Sequence, residues 1–175
     1  MPTGTRHAVF ETALGPCGIA WTEAGISRVA LPEESARQLE HGLPGVAGDP
    51  PPAVREVMHG IVRLLAGQPE TFAVLPLDTA GVADFNQRVY QITRSIPPGQ
   101  TLCYGDVAAR LGRPGAARAV GRALGENPWP IVVPCHRVVA ADGSMHGFSA
   151  PGGLATKRRM LQLEGALAPD EPTLF

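Results

Sequence analysis

Between residues 6 and 31, apolar positions come in short runs. They are His7-Ala8-Val9-Phe10, Gly18-Ile19-Ala20-Trp21 and Gly25-Ile26-Ser27-Arg28-Val29-Ala30. Gly- or Pro-containing turns separate them, so the pattern predicts three short strands in an antiparallel meander. Pro32-Glu33-Glu34 then opens a helix, with proline and acids in its first turn. Residues 42–52 (GLPGVAGDPPP) form a connector. From Pro52 to Ala66 the period lengthens, and Val54, Val57, Met58, Ile61, Val62 and Leu65 fall on one side of a helix. Residues 69–83 read as loop and short strand, and a domain boundary is expected near Gly81.

The second half is helical. Asp84 is expected to cap a helix from Phe85 to Ser95 that buries Phe85, Val89 and Ile92. Ile96-Pro97-Pro98-Gly99 stops it. Tyr104-Gly105-Asp106 leads into Val107–Leu111, Gly112-Arg113-Pro114-Gly115 turns the chain, and a second helix runs from Ala116 to Leu124. Two short helices around a Gly-containing turn form a helix-turn-helix pattern. A last helix is expected from about Leu154 to Glu164, with Leu154, Met160, Leu161 and Leu163 apolar and Lys157, Arg158 and Arg159 on its polar face. The fold class is α+β. Residues 1–81 form a support domain, 82–165 a second domain, and 166–175 a Pro-rich, acidic, flexible tail.

The chain has 175 residues, 44% of them hydrophobic, enough to build a real core. No apolar run reaches membrane-spanning length, and the N-terminus has no apolar region typical of a secretory signal. The cysteines, Cys17, Cys103 and Cys135, are odd in number and without paired spacing, which points to a reducing, cytoplasmic setting. No CxxC or HxxxH pair marks a zinc site. Charge changes the picture more. Residues 1–85 carry five basic and ten acidic side chains, whereas residues 86–165 carry ten basic and four acidic. The basic half therefore suits a polyanion. Within it, the second helix of the helix-turn-helix places Arg118 among the small residues Ala116, Ala117, Ala119 and Gly121. Such a face approaches a backbone closely, and its one long cation reaches into a groove or a gap in a base stack. Helix-turn-helix patterns also serve purely structural roles; a DNA-binding one ordinarily docks in the major groove.

The candidate chemistry lies in Pro134-Cys135-His136-Arg137, set between the apolar runs Ile131-Val132-Val133 and Val138-Val139-Ala140. Pro134 stiffens the entry. A thiol followed by an imidazole in a rigid loop is a nucleophile candidate, because neighbouring acid/base groups tune thiolate formation. A buried, inert cysteine is the alternative.

Four blocks in order carry a family resemblance. They are Ser95 to Ala108 (SIPPGQTLCYGDVA), Ala117 to Leu124 (ARAVGRAL), Asn127 to Val139 (NPWPIVVPCHRVV), and Gly152 to Lys157 (GGLATK) with Leu163-Glu164-Gly165 closing it. In this order the chain resembles the O6-alkylguanine-DNA alkyltransferases, the methylated-DNA–protein-cysteine methyltransferases. The likeness covers residues 84–165 closely and the first 80 in outline. It implies an N-terminal domain of RNase H-like outline and a winged-helix-like second domain. It also implies direct-reversal repair, in which O6-alkylguanine is flipped out of the duplex and its alkyl group passes irreversibly to Cys135. His136 would take the thiol proton through a water, and Glu164 would orient His136. Asn127 would tie the DNA-binding helices to the active-site loop, and Tyr104 would press on the target phosphate and donate to the leaving base. Arg118 would fill the vacated place in the stack. Ala117, Ala119 and Gly121 would sit in the minor groove, against the default expectation. Arg122 and Arg137 are phosphate or structural partners. Val138, Ser149, Phe148, Pro130 and Trp129 make up the implied substrate pocket, with Phe148 where some relatives have Tyr. No cofactor is implied, and each molecule, a monomer, would be spent on one lesion.

Three other readings stand beside it. One is an alkyltransferase-like binder, which carries another residue in place of the thiol. Another is a helix-turn-helix module with a structural Cys135. The third is a thiol hydrolase, although papain-like enzymes keep Cys and His far apart in sequence. The zinc ligands of some animal members and the four-cysteine sensor of the larger adaptive-response proteins are absent, so a stand-alone repair protein is expected. The terminal Pro172-Thr173-Leu174-Phe175 resembles peptides that dock on the bacterial sliding clamp, which makes Leu174-Phe175 a candidate clamp contact.

Overall fold

The computed structural model describes residues 4–33, 35–72, 75–142 and 153–168. Its N-terminal half holds the expected meander: β1 (Arg6–Thr12), β2 (Gly15–Thr22) and β3 (Gly25–Ala30). Both hairpins are built alike. Thr12 and Gly15 bracket the first turn, Thr22 and Gly25 the second. In each, the threonine oxygen accepts the N–H two residues on; the Thr12 hydroxyl donates to the Gly15 carbonyl (2.7 Å) and the Thr22 hydroxyl to the Asp78 carboxylate (2.7 Å). The glycines stand at φ 114° and 141°, a region open to residues without a Cβ.

A fourth strand, β4 (Val46–Ala47), pairs parallel to β1 and gives the order β3-β2-β1-β4. It lies within the stretch expected to be only a connector, and it is too short to carry an alternating pattern. β2 is buried on both faces. Gly18 faces Leu43, while Cys17, Ile19 and Trp21 join the main core. α1 (Ala36–His41) begins later than expected. Ser35 is its N-cap, accepting from the Gln38 N–H, so the Pro32-Glu33 stretch precedes the helix. α2 (Pro52–Leu65) buries Val54, Val57, Ile61, Leu64 and Leu65 against the sheet side of the core.

In the second half, α3 (Asp84–Arg94) is capped by Ala83, and Asp84 is its first helical residue. The carboxylate thus acts on the helix dipole instead of as the cap. The helix fully buries Val89, Tyr90 and Thr93, with Phe85 and Ile92 half-buried beside them. α4 (Tyr104–Arg110) and α5 (Ala117–Gly125) are the helix-turn-helix pair, and α6 (Gly153–Leu163) closes the chain. Two further strands, β5 (Leu102–Cys103) and β6 (Val138–Val139), pair in parallel, Leu102 opposite Val138 and Cys103 opposite Val139. This two-residue contact sets Tyr104 beside the chain that leaves Cys135. One continuous hydrophobic cluster runs from Cys17 and Ile19 through Ile61 and Val89 to Val120, Trp129 and Met160. It crosses the position near Gly81, so the two halves share one interior. Among the described residues no helix is long and apolar enough to cross a membrane.

Gly25→Ala is expected to destabilise the protein by about 1–3 kcal/mol in denaturant titration. A Cβ there would sit 2.5 Å from the Pro76 carbonyl oxygen, on a backbone at φ 141°. An unchanged midpoint would overturn this account of the turn.

Candidate functional site

The site begins at the end of α5. Asn127 follows the helix, and its N–H donates to the Leu124 carbonyl (3.2 Å). Its side-chain Nδ2 donates to the Val133 carbonyl (2.9 Å), and its Oδ1 accepts the Trp129 N–H (2.9 Å). The same side chain hydrogen-bonds the Cys135 thiol. One residue thus joins the helix-turn-helix, the loop and the sulfur. The loop is tight: the Val133 N–H donates to the Trp129 carbonyl, and the Cys135 N–H to that of Val133. Ile131 sits inside it at φ 77°, the one non-glycine at positive φ among the described residues. A β-branched residue there is a strained outlier held by its surroundings.

Residues 135–137 form one turn of 3₁₀ helix, and all three side chains are buried. His136 is wholly inaccessible, and its Nε2 lies 2.7 Å from Glu164 Oε1. With Nε2–H donating to the carboxylate, Nδ1 keeps its lone pair; it has no hydrogen-bond partner among the described residues. Arg137 grips the same carboxylate with two bonds, Nε to Oε2 (2.9 Å) and NH2 to Oε1 (2.7 Å), and its NH1 donates to the Ile96 carbonyl. Arg137 is therefore the structural partner and is turned away from any phosphate. The Glu164 side chain is 2% exposed. Burial by itself would raise its carboxyl, but the bonds from His136 and Arg137 hold it down at about 2. Burial pushes the Cys135 thiol up, opposed by the Asn127 bond and the nearby Lys157 charge. Burial likewise lowers His136 and favours its neutral imidazole, opposed by the Glu164 carboxylate beside it.

Lys157 is the residue that sequence reasoning missed. It was expected on the polar face of the last helix, yet it is 1% exposed, and its Nζ donates to the Val138 carbonyl (2.7 Å). The ammonium also lies 6.0 Å from the Tyr104 ring centroid. The signal was available in the spacing: Lys157, Met160, Leu161 and Glu164 follow i, i+3, i+4, i+7, one helix face. The run Lys157-Arg158-Arg159 disguised it as a solvated cluster.

Tyr104 opens α4, and burial raises its phenol, which stays a protonated donor. Its ring packs over Gly121, where an added Cβ would lie in ordinary contact at 3.7 Å. Val120, Ala123 and Leu124 bury the inner face of α5, while Arg118 and Arg122 are exposed one turn apart on the outer face. Ala117 and Ala119 are half-buried beside them. Among the implied pocket residues, Val138 is buried and Pro130 half-buried. Trp129 is 1% exposed and its indole N–H donates to the Ile26 carbonyl (2.8 Å), which turns it into the interior between the two halves. Phe148 and Ser149 lie outside the described residues, as does the Leu174-Phe175 tail.

A helix-turn-helix thus runs through one hydrogen-bonded residue into a buried thiol–imidazole–carboxylate group, combining a motif common in nucleic-acid-binding proteins with a candidate nucleophile. Comparison with known proteins sharpens the class. The family described as 6-O-methylguanine DNA methyltransferase, DNA binding domain, matches residues 84–166. The methylated-DNA–protein-cysteine methyltransferase of Mycobacterium tuberculosis is 36% identical over 97% of this chain and 98% of its own length. The crystal structure of Mycobacterium tuberculosis O6-methylguanine methyltransferase matches with a TM-score of 0.75 at 35% identity, covering 97% of this chain and 98% of that one. That of Mycobacterium tuberculosis OGT in complex with DNA matches with the same TM-score and identity, over 91% and 92%. This chain belongs to the O6-methylguanine-DNA methyltransferase family.

Removing the shared carboxylate strands a buried guanidinium, so Glu164→Ala should cost about 3–5 kcal/mol in equilibrium unfolding. A loss near zero would remove Glu164 from its structural role. The carboxyl also sets an acid limit. Its folded pKa lies below its ordinary value of 4.5, so its stabilisation is complete above that pH and is lost as pH falls toward about 2. The lowered His136 acts in the same direction from its ordinary 6.5 downward. Thermal midpoints should therefore decline steadily on acidification from neutral pH; a midpoint that rises with acid contradicts the assignment.

Proposed function

We propose that this protein repairs O6-alkylguanine in duplex DNA by taking the alkyl group irreversibly onto Cys135. The observation that carries the reading is the Cys135, His136 and Glu164 group, linked to α5 by Asn127. The O6 atom is stacked within the duplex, so an in-line attack by sulfur needs the base extruded. Extrusion costs a few kcal/mol, less for a damaged and poorly paired base. α5 enters the minor groove, where Ala117, Ala119 and Gly121 allow close approach. Arg118 takes the vacated place in the stack, and Arg122, one turn on, meets a backbone phosphate. Tyr104 bears on the target phosphate.

The chemistry follows from the site. His136 Nδ1 takes the thiol proton through a water, and the charge that develops on the imidazole is balanced by Glu164. The sulfur attacks the alkyl carbon, an S–C bond forms, and the O6–C bond breaks with its electron pair left on the base. Tyr104 donates a hydrogen bond to that base as charge develops. The thioether product has no easy reverse, so one molecule repairs one lesion. Every group in this sequence comes from a single chain, in keeping with a monomer. A thiol that must stay reduced until use fits the cytoplasm.

Intact-mass spectrometry after mixing with methylated duplex should find one added methyl, mapped to Cys135, and Cys135→Ala should abolish transfer while sparing DNA binding. An unaltered mass, or repeated turnover by one molecule, overturns the reading. Arg118→Ala should slow repair of duplex DNA about tenfold or more beyond any effect on free O6-benzylguanine, since only the duplex requires extrusion. Equal losses on both substrates would remove Arg118 from the extrusion step. Affinity for duplex should also fall with rising salt, in proportion to the phosphates neutralised; salt-independent binding would contradict the basic face.

A further inference from the structure

The N-terminal sheet touches the active-site loop at two points. The Val29 N–H of β3 donates to the Pro128 carbonyl (2.9 Å), and the Trp129 indole N–H donates to the Ile26 carbonyl (2.8 Å). β2 already occupies one edge of β3, so residues 128–129 sit along the other. Ile26 is itself held there, since its carbonyl also accepts the Asp78 N–H (2.8 Å) and its N–H donates to the Pro76 carbonyl (3.0 Å). On its other side Trp129 meets the edge of Tyr90, with centroids 5.9 Å apart and rings at 89°. The Tyr90 hydroxyl donates to the Ala123 carbonyl of α5 (2.6 Å). One indole is thus pinned between the sheet and the helix that carries Arg118.

From Trp129 the connection to sulfur is short. Its carbonyl accepts the Val133 N–H, and the Val133 carbonyl accepts both the Cys135 N–H and the Asn127 amide. Ile131, between them, is held at positive φ. A loop with a strained residue keeps that conformation only when its ends are fixed.

We infer that Trp129 is a positioning residue for alkyl transfer, through which the N-terminal sheet holds the Cys135 loop in register with the DNA-binding helix. This gives the N-terminal half a role in the chemistry, and it rests on the reading of Cys135 as the alkyl acceptor.

The test is Trp129→Phe, which keeps an aromatic ring against Tyr90 and removes the indole donor. Transfer from O6-benzylguanine, free or in duplex, should slow by about tenfold or more by the same factor on both, because thiol placement is common to the two. Affinity for unmodified duplex should not change. Iodoacetamide labelling, mapped by peptide mass, gives a reading independent of repair. A loosened loop should speed labelling of Cys135 while Cys17, buried in the sheet, stays protected. If Cys135 and Cys17 become reactive together, or if Cys135 labelling or benzyl transfer is unaltered, the positioning role is overturned. Wild-type protein inert to O6-benzylguanine would instead defeat the alkyl-acceptor reading, and the labelling pattern would still decide whether Trp129 holds the loop. If the variant fails to fold, hydrogen exchange in the unsubstituted protein decides: the indole proton should exchange as slowly as the Val29 amide, and fast exchange of the indole alone overturns the clamp.

Discussion

The Glu164 carboxylate is shared between an imidazole and a guanidinium, and most of the site depends on that sharing. A buried carboxylate is tolerated only when its charge is met and its lone pairs are used. Arg137 meets the charge with a two-pronged grip, and His136 takes the remaining bond. The consequence for His136 is chemical. Its Nε2 proton is fixed toward Glu164, so its basic nitrogen is Nδ1 and its charged form has a counter-ion in place. The consequence for the fold is topological: α6 must return from the far end of the chain to deliver Glu164, and Lys157 on the same face comes with it.

That return assembles the rest. Lys157 reaches the Val138 carbonyl and lies over the Tyr104 ring, while β5 and β6 bring Tyr104 alongside the segment after Cys135. The Tyr104 ring packs over Gly121, so α5 meets the site from within as well as presenting an outer surface. Asn127 and Trp129 fix the loop from the helix side and the sheet side respectively. The thiol therefore sits in a rigid surrounding, its burial opposed by the nearby Asn127 side chain and Lys157 charge.

The readable parts of this protein were local. Alternating short runs announced the meander, the α2 periodicity announced a buried face, and the spacing of Gly112 to Gly115 announced the helix-turn-helix. Boundaries were less legible. Ser35 instead of Pro32 opens α1, and Ala83 instead of Asp84 caps α3, because a cap is chosen by the backbone angle at one residue and several neighbours have suitable side chains. The pairs β1–β4 and β5–β6 were invisible, since two residues carry no period and their partners lie far away in the chain.

By itself the sequence determined the nucleophile candidate, its imidazole neighbour and the charge surplus that suits DNA, because residue type and adjacency are written in the chain. It did not determine which groups meet across the interior. Arg137 was open between phosphate and structure, Lys157 was read as solvated, and Trp129 as part of the pocket. Each was settled by packing: a helix returning over the 3₁₀ turn, a sheet edge offering a carbonyl, and a buried carboxylate met by His136 and Arg137. Those are long-range contacts, and only the tertiary structure decides which donor finds which acceptor.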